Sequence, residues 1–240
     1  MGYCLWCHQA FQPKIGFRSF FSIDIHTGFC SICYKQLQPI DERECCRICG
    51  RHLKLIDAKY IKDDVCRDCR LWENSEWRGL LCKNRSLYVY NDFLKEVVKA
   101  FKFQGDVALV HGFKTDVCRF YKKHFRNAVV VPVPLSFERL AERGFNQSEH
   151  IAALIEKPVC HGLIRAIHEN KQSKKGRKER MAHRENPFKA NQKFKERLEG
   201  QSVLLIDDIY TTGATIRMAA EALRIFKPKE VNALTLARGA

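Results

Sequence analysis

Val203 to Ala219 reads VLLIDDIYTTGATIRMA, and this segment limits the fold of the chain more than any other. The run SVLLI has the unbroken apolar character of a strand buried on both faces, as parallel strands are. In ATIRMAAEALRIF, Ala219, Leu223 and Phe226 recur at helical spacing. EVNALTLA then reads as a second strand. Strand, tight loop, helix and strand form a βαβ unit, so the sheet is at least partly parallel. Ligands of such sheets sit at the carboxyl ends of the strands, where Asp207 and Asp208 fall.

That placement sets the chemistry. Thr211, Thr212, Gly213, Ala214 and Thr215 form a cup of backbone N–H groups and hydroxyls, with Gly213 allowing the backbone to approach a ligand closely. The helix N-terminus adds partial positive charge, and the whole suits a phosphate. Two carboxylates directly before the cup would repel that same phosphate. They can instead accept hydrogen bonds from a vicinal diol, or hold a Mg²⁺ that the diol also ligates. A phosphate beside a vicinal diol describes a ribose 5-phosphate.

Upstream, SLYVYNDFLKEVVKAFKFQGD begins strand-like and continues as an amphipathic helix, with Phe93, Leu94, Val97, Val98 and Phe101 on one face and Gly105 at its end. A second helix is expected over residues 107–125. AVVVPVP, Ala128 to Pro134, suits a buried parallel strand whose prolines impose a constrained loop at its exit. Arg143 and Gly144 lie in that loop, and a helix is expected from about Asn146. Residues 162–167 and FKANQKF read as short strands. Between them lies ENKQSKKGRKERMAHREN, with six basic residues from Lys171 to Arg180. It cannot bury itself. Two readings stand: a solvated surface loop, or a lid that gathers charge over an anion. Lys174, Lys175, Arg177, Lys178 and Arg180 are its candidate catalytic residues.

The first third is organised by cysteine. Four CxxC pairs occur: Cys4/Cys7, Cys30/Cys33, Cys46/Cys49 and Cys66/Cys69. Each presents two thiolates from a tight turn, and two pairs complete a closed tetrahedral Cys4 site of the structural zinc type. The simplest pairing is sequential, Cys4, Cys7, Cys30 and Cys33 holding one zinc and Cys46, Cys49, Cys66 and Cys69 another; a crossed pairing is also compatible with the spacing. The chain is thus expected to divide into a cysteine-rich zinc-binding region, 1–80, and an α/β domain, 81–240.

Charge separates the same two parts. Residues 1–80 carry 12 Lys/Arg and 10 Asp/Glu, against 30 and 17 in residues 81–240. An excess of that size attracts polyanions. No apolar run approaches the length of a membrane span, and MGYCLWCHQA lacks a charged start and an apolar core, so no signal peptide is expected and the cytoplasm is the expected location.

The strand, DD, TTGAT and helix in that order resemble the motif by which type I phosphoribosyltransferases bind 5-phosphoribosyl 1-diphosphate (PRPP). The resemblance implies that Asp207 and Asp208 hold the ribose hydroxyls, that Thr211, Thr212, Gly213, Ala214 and Thr215 hold the 5′-phosphate, that the loop with Arg143 and Gly144 meets pyrophosphate, and that the basic 171–180 segment is a flexible catalytic loop. A four-cysteine ribbon, FKFQGD, VPVP, RGFNQ, the basic loop, LLIDDIYTTGAT and LARG, in this order, are similar to the ComF family of bacterial competence proteins over roughly residues 45–240. Cys4/Cys7 and Cys30/Cys33 go beyond that family's single-ribbon pattern. The likeness implies an α/β fold of the type I phosphoribosyltransferase kind behind a small zinc-binding domain, Mg²⁺ arriving with PRPP, and a role in natural transformation. It implies single-stranded DNA, a DNA-uptake helicase and other competence proteins as partners, at the inner face of the cell membrane. Two other functions fit the same residues: an active phosphoribosyltransferase with an unidentified acceptor, and a PRPP-responsive DNA-binding regulator.

Overall fold

The computed structural model describes residues 2–12, 28–165 and 186–239. The expected lid residues Lys174, Lys175, Arg177, Lys178 and Arg180 lie outside them. At the centre stands a four-stranded, wholly parallel sheet. Its strands are β5 (Lys83–Val89), β6 (Val129–Pro132), β9 (Ser202–Tyr210) and β10 (Glu230–Arg238), in spatial order β5-β10-β9-β6. Val203, Leu204, Leu205 and Ile206 are fully buried, which explains why β9 reads as a continuous apolar run rather than an alternation. In register, Ile206 sits opposite Pro132, and Asp207 opposite Thr235. β6 ends at Pro132, and the amide of Val133 after it still donates to the Ile206 carbonyl at 3.0 Å. The edge strand thus ends opposite the residue before Asp207.

Helices connect the strands. After β5 come α3 (Asp92–Phe103) and α4 (Lys114–His124); after β6 come α5 (Phe137–Arg143) and α6 (Gln147–Ala153); α8 (Ala214–Leu223) joins β9 to β10. Asn91 caps α3 by accepting from the Leu94 amide at 2.9 Å. Leu94, Val97, Val98 and Phe101 form its buried face. A short antiparallel pair, β7 (Leu163–Arg165) with β8 (Phe188–Ala190), lies beside α8, and α7 (Lys195–Leu198) leads into β9.

Two expectations need correction. Residues 107–125 are not one helix: Val107–Phe113 is a 3-10 turn and α4 follows it. Gly112 lies in that turn, and a side chain there would overlap the Phe29 ring. The chain from Pro134 to Gly144 is not an open loop, because Phe137–Arg143 is helical. Ser136 caps it by accepting from the Arg139 amide, and Gly144 ends it at φ 76°. None of its residues is buried, although Phe137, Leu140 and Ala141 recur at helical spacing.

The cysteine-rich segments contain small elements: β1 (Gly2–Tyr3) with β2 (Ala10–Phe11), β3 (Ile61–Lys62) with β4 (Val65–Cys66), and helices α1 (Ser31–Lys35) and α2 (Arg67–Glu73). They share the apolar interior of the α/β part. Cys4, Cys30, Cys33 and Leu37 pack in one cluster with Leu94, Phe101 and Leu234. Cys46, Cys49, Cys66 and Cys69 pack in another with Val203, Tyr210 and Ile216. A polar tie reinforces the first contact: buried Asp116 of α4 accepts from Tyr34 of α1 at 2.7 Å and from Tyr88 of β5, and pairs with Arg119.

Candidate functional site

Three connections converge where β9 passes the end of β6. Asp207 Oδ1 accepts from Ser148 Oγ of α6 at 3.1 Å and from the Asp208 amide at 2.9 Å. Asp208 Oδ2 is paired with the ammonium of Lys102, from the last turn of α3, and both side chains are largely withdrawn from water at 13% and 15% exposure. Tyr90, just past β5, is raised above its ordinary value by removal from water and then by the charge of Asp208. Burial, and after it the neighbouring charge of Asp208, pushes the Asp207 carboxyl up to about 7. The two carboxylates thus differ: Asp208 has a cation, while Asp207 has a hydroxyl and an amide.

The turn after β9 follows immediately. Thr211, Thr212 and Thr215 are exposed, Ala214 is half-buried and Gly213 is buried at φ 84°. Gly213 is required here twice over, by the left-handed backbone and because a Cβ would overlap the Tyr210 hydroxyl. The Thr212 hydroxyl accepts from the Ala214 amide at 3.3 Å. The exposed hydroxyls lie beside the first amides of α8, the kind of arrangement in which a helix N-terminus can receive an anion.

Beneath the turn lies a layer that the sequence does not reveal. Arg217, fully buried on α8, donates from Nη1 to the Tyr210 hydroxyl at 2.8 Å and stacks its guanidinium 4.9 Å from the Trp72 ring. Trp72 Nε1 donates to the Thr212 carbonyl at 3.0 Å. Arg238 stacks on the Tyr210 ring at 4.9 Å, donates to the Tyr210 carbonyl at 3.2 Å, and reaches Cys49 Sγ at 3.9 Å. The contacts of Trp72 with Thr212 and of Arg238 with Cys49 join residues far apart in sequence, so no local spacing signals them.

Arg143, expected near a pyrophosphate, donates to Gln147 Oε1 at 3.0 Å and stacks on Phe103 at 5.2 Å; Gly144 is the exposed end of α5. Arg165, at the end of β7, feels the charges of Arg139 and Asp207, and burial lowers its pKa first. Of the aromatic residues beside basic ones, Phe101 is buried and Phe145 packs on it at 5.4 Å, whereas Phe103 is exposed.

The two cysteine tetrads are sequential. Cys4, Cys7, Cys30 and Cys33 form one and Cys46, Cys49, Cys66 and Cys69 the other, with the four sulfurs of each within 4.8 Å of one another. The Cys7–Cys30 and Cys49–Cys66 sulfurs stand 3.8 and 3.7 Å apart. Four sulfurs at about 2.3 Å from a tetrahedral centre would stand roughly 3.8 Å apart. Each tetrad can therefore hold a metal ion. Backbone amides favour thiolates there: Cys30 N donates to Cys4 Sγ at 3.2 Å and Cys66 N to Cys46 Sγ at 3.4 Å. Burial raises the Cys4 thiol, yet the amide bond from Cys30 and its neighbours outweigh it and bring it to about 6. His8 sits outside the tetrad, and Cys45 Sγ instead donates to the Glu42 carbonyl at 3.2 Å.

The family model described as phosphoribosyl transferase domain matches residues 138–240, which hold the acidic pair, the turn and α8. The competence protein ComFC of Bacillus subtilis is 37% identical over 239 residues, covering 98% of this chain and 94% of its own. The chain belongs to the ComFC family. ComFC of Streptococcus pneumoniae is 31% identical over 240 residues, covering 98% of this chain and 99% of its own. Competence protein F of Haemophilus influenzae is 26% identical over 223 residues, covering 88% and 90%. Likeness to ComFC thus runs well beyond residues 45–240, through the region of the first tetrad. Within this family the chain carries a domain of the phosphoribosyltransferase superfamily. Among the described residues, no helix is long and apolar enough to cross a membrane.

Proposed function

We propose that this ComFC-family chain binds PRPP or a related ribose phosphate at the exit of β9, and that it does so in the uptake and cytoplasmic handling of single-stranded DNA during natural transformation. One observation carries the first half. Two carboxylates in different surroundings stand directly before a glycine-centred turn that opens a helix. The diol would lie against Asp207 and Asp208, with Mg²⁺ shared between diol and carboxylate. The 5′-phosphate would rest on Thr211, Thr212, Gly213, Ala214 and Thr215. Arg143 and Gly144, with the basic residues Lys174, Lys175, Arg177, Lys178 and Arg180, would meet the pyrophosphate or a DNA backbone. Zinc would fill both tetrads as a structural ion, since four thiolates leave no open position for a reacting water.

The family name of the relatives supports the second half. In this reading the chain works beside a DNA-uptake helicase and other competence proteins, in the cytoplasm at the inner face of the membrane. Titration calorimetry with PRPP and Mg²⁺ tests the site: saturable heats are expected, lost in Asp207→Ala/Asp208→Ala. Flat heats from the folded wild-type chain would refute it. The match to a phosphoribosyl transferase domain favours a second reading, catalysis of phosphoribosyl transfer. Pyrophosphate release with added acceptors separates that enzyme from a binding protein.

A further inference from the structure

The layer beneath the turn links the second tetrad to it. α2 starts at Arg67, directly after Cys66, and carries Cys69 within its first turn. Trp72 projects from the same helix. Its indole N–H meets the Thr212 carbonyl, and its ring covers the guanidinium of Arg217, which in turn holds the Tyr210 hydroxyl. Tyr210 and Thr212 flank Thr211 directly, at the mouth of the turn. From below, Arg238 clasps the Tyr210 carbonyl and reaches Cys49 of the same tetrad.

We infer that Trp72 and Arg217 are positioning residues, which brace the 211–215 turn against the cysteine tetrad of Cys46, Cys49, Cys66 and Cys69. The inference rests on reading that turn as a phosphate cup. An anion cup works when its amides already point inward, because ordering them on binding costs conformational entropy. A turn with a glycine at its centre is the part of the chain with the most freedom to lose. The indole bond on Thr212 and the stacked guanidinium behind Tyr210 remove that freedom in advance. The helix supplying the indole follows Cys66 and carries Cys69, so two ligands of the tetrad and the indole brace of the cup belong to one element.

The test uses the full-length, metal-loaded chain and its Trp72→Phe variant. Phenylalanine keeps a ring over Arg217 and removes only the indole donor. Two readouts are compared: affinity for ribose 5-phosphate, and hydrogen exchange of the amides of residues 211–215 without ligand. Loss of one net hydrogen bond predicts a change of about two- to tenfold in each, with zinc content unchanged. Unaltered exchange and affinity would overturn the inference. So would exchange that rises equally through β9 and β10, or zinc content that falls, since the indole would then support the whole fold or the tetrad. If the wild-type chain binds no ribose 5-phosphate while the variant's turn exchanges faster, the phosphate reading fails and the brace stands.

Discussion

Lys102 of α3 pairs its ammonium with the carboxylate of Asp208, and Asp208 leaves its neighbour Asp207 to a serine hydroxyl and a backbone amide. The pairing explains how two adjacent aspartates survive at the end of a buried strand. One negative charge is compensated in place, and the other is raised towards neutrality by burial and by Asp208.

Removing that cation should expose the cost of the pair. Lys102→Met leaves a mostly buried carboxylate uncompensated, and the fold should lose about 3 kcal/mol in urea unfolding. Millimolar Mg²⁺ should restore more of this in the variant than it adds to the wild type, because the ion replaces the missing charge. Equal effects of Mg²⁺ on both proteins would show that the two carboxylates do not attract the ion.

Asp207 predicts a pH dependence of stability. Its folded value of about 7 lies above its ordinary 3.8, so the folded chain holds a proton that the unfolded chain gives up. The stability this group contributes is complete below about pH 4 and is lost as pH rises to about 7. Asp207→Asn does not titrate. Its unfolding free energy relative to wild type should therefore rise between pH 4.5 and 7.5, by about 2 kcal/mol, since the half-buried carboxyl keeps some of its water. A constant difference across that range would contradict the raised value.

Gly213→Ala tests the turn itself. A Cβ at φ 84° is strained, and it would overlap the Tyr210 hydroxyl and the Arg217 guanidinium. The expected loss is about 2–4 kcal/mol in stability, and ribose 5-phosphate binding should fall more than tenfold in whatever remains folded. Measured by thermal melts and calorimetry, a neutral effect would mean that the turn relaxes freely.

The tetrads predict metal content. Two groups of four thiols should give about two zinc ions per chain by elemental analysis. A strong chelator should unfold the cysteine-rich segments and, because they share the interior of the sheet, lower the unfolding midpoint of the whole chain. A sheet whose midpoint does not move on chelation would contradict that shared interior.

Much of this site was legible in the residues. The run Val203–Ile206 is apolar on both faces because β9 is an inner parallel strand, and the acidic pair and glycine follow it without a gap. Spacing left the pairing of the CxxC motifs open, because thiol pairs at such separations can meet in either order. The sulfurs of each sequential tetrad, which lie within 4.8 Å of one another, decide between the two orders. The helix Phe137–Arg143 is hidden by the prolines before it, which make the segment read as a loop, even though Phe137, Leu140 and Ala141 recur at helical spacing on an unburied face. Trp72 and Arg238 escaped because their contacts with Thr212 and Cys49 span 140 and 189 residues.

A carboxylate couple for the sugar and an adjoining cup for its phosphate should demand both parts of the ligand at once. Calorimetric titration of the wild-type chain with ribose 5-phosphate, 2-deoxyribose 5-phosphate and ribose, each with Mg²⁺, measures this directly. We expect ribose 5-phosphate to bind at least about tenfold more tightly than either of the others, the loss of one paired hydrogen bond or of the phosphate being worth that much. Equal affinity for the ribose and deoxyribose phosphates would contradict the assignment of Asp207 and Asp208 to the diol.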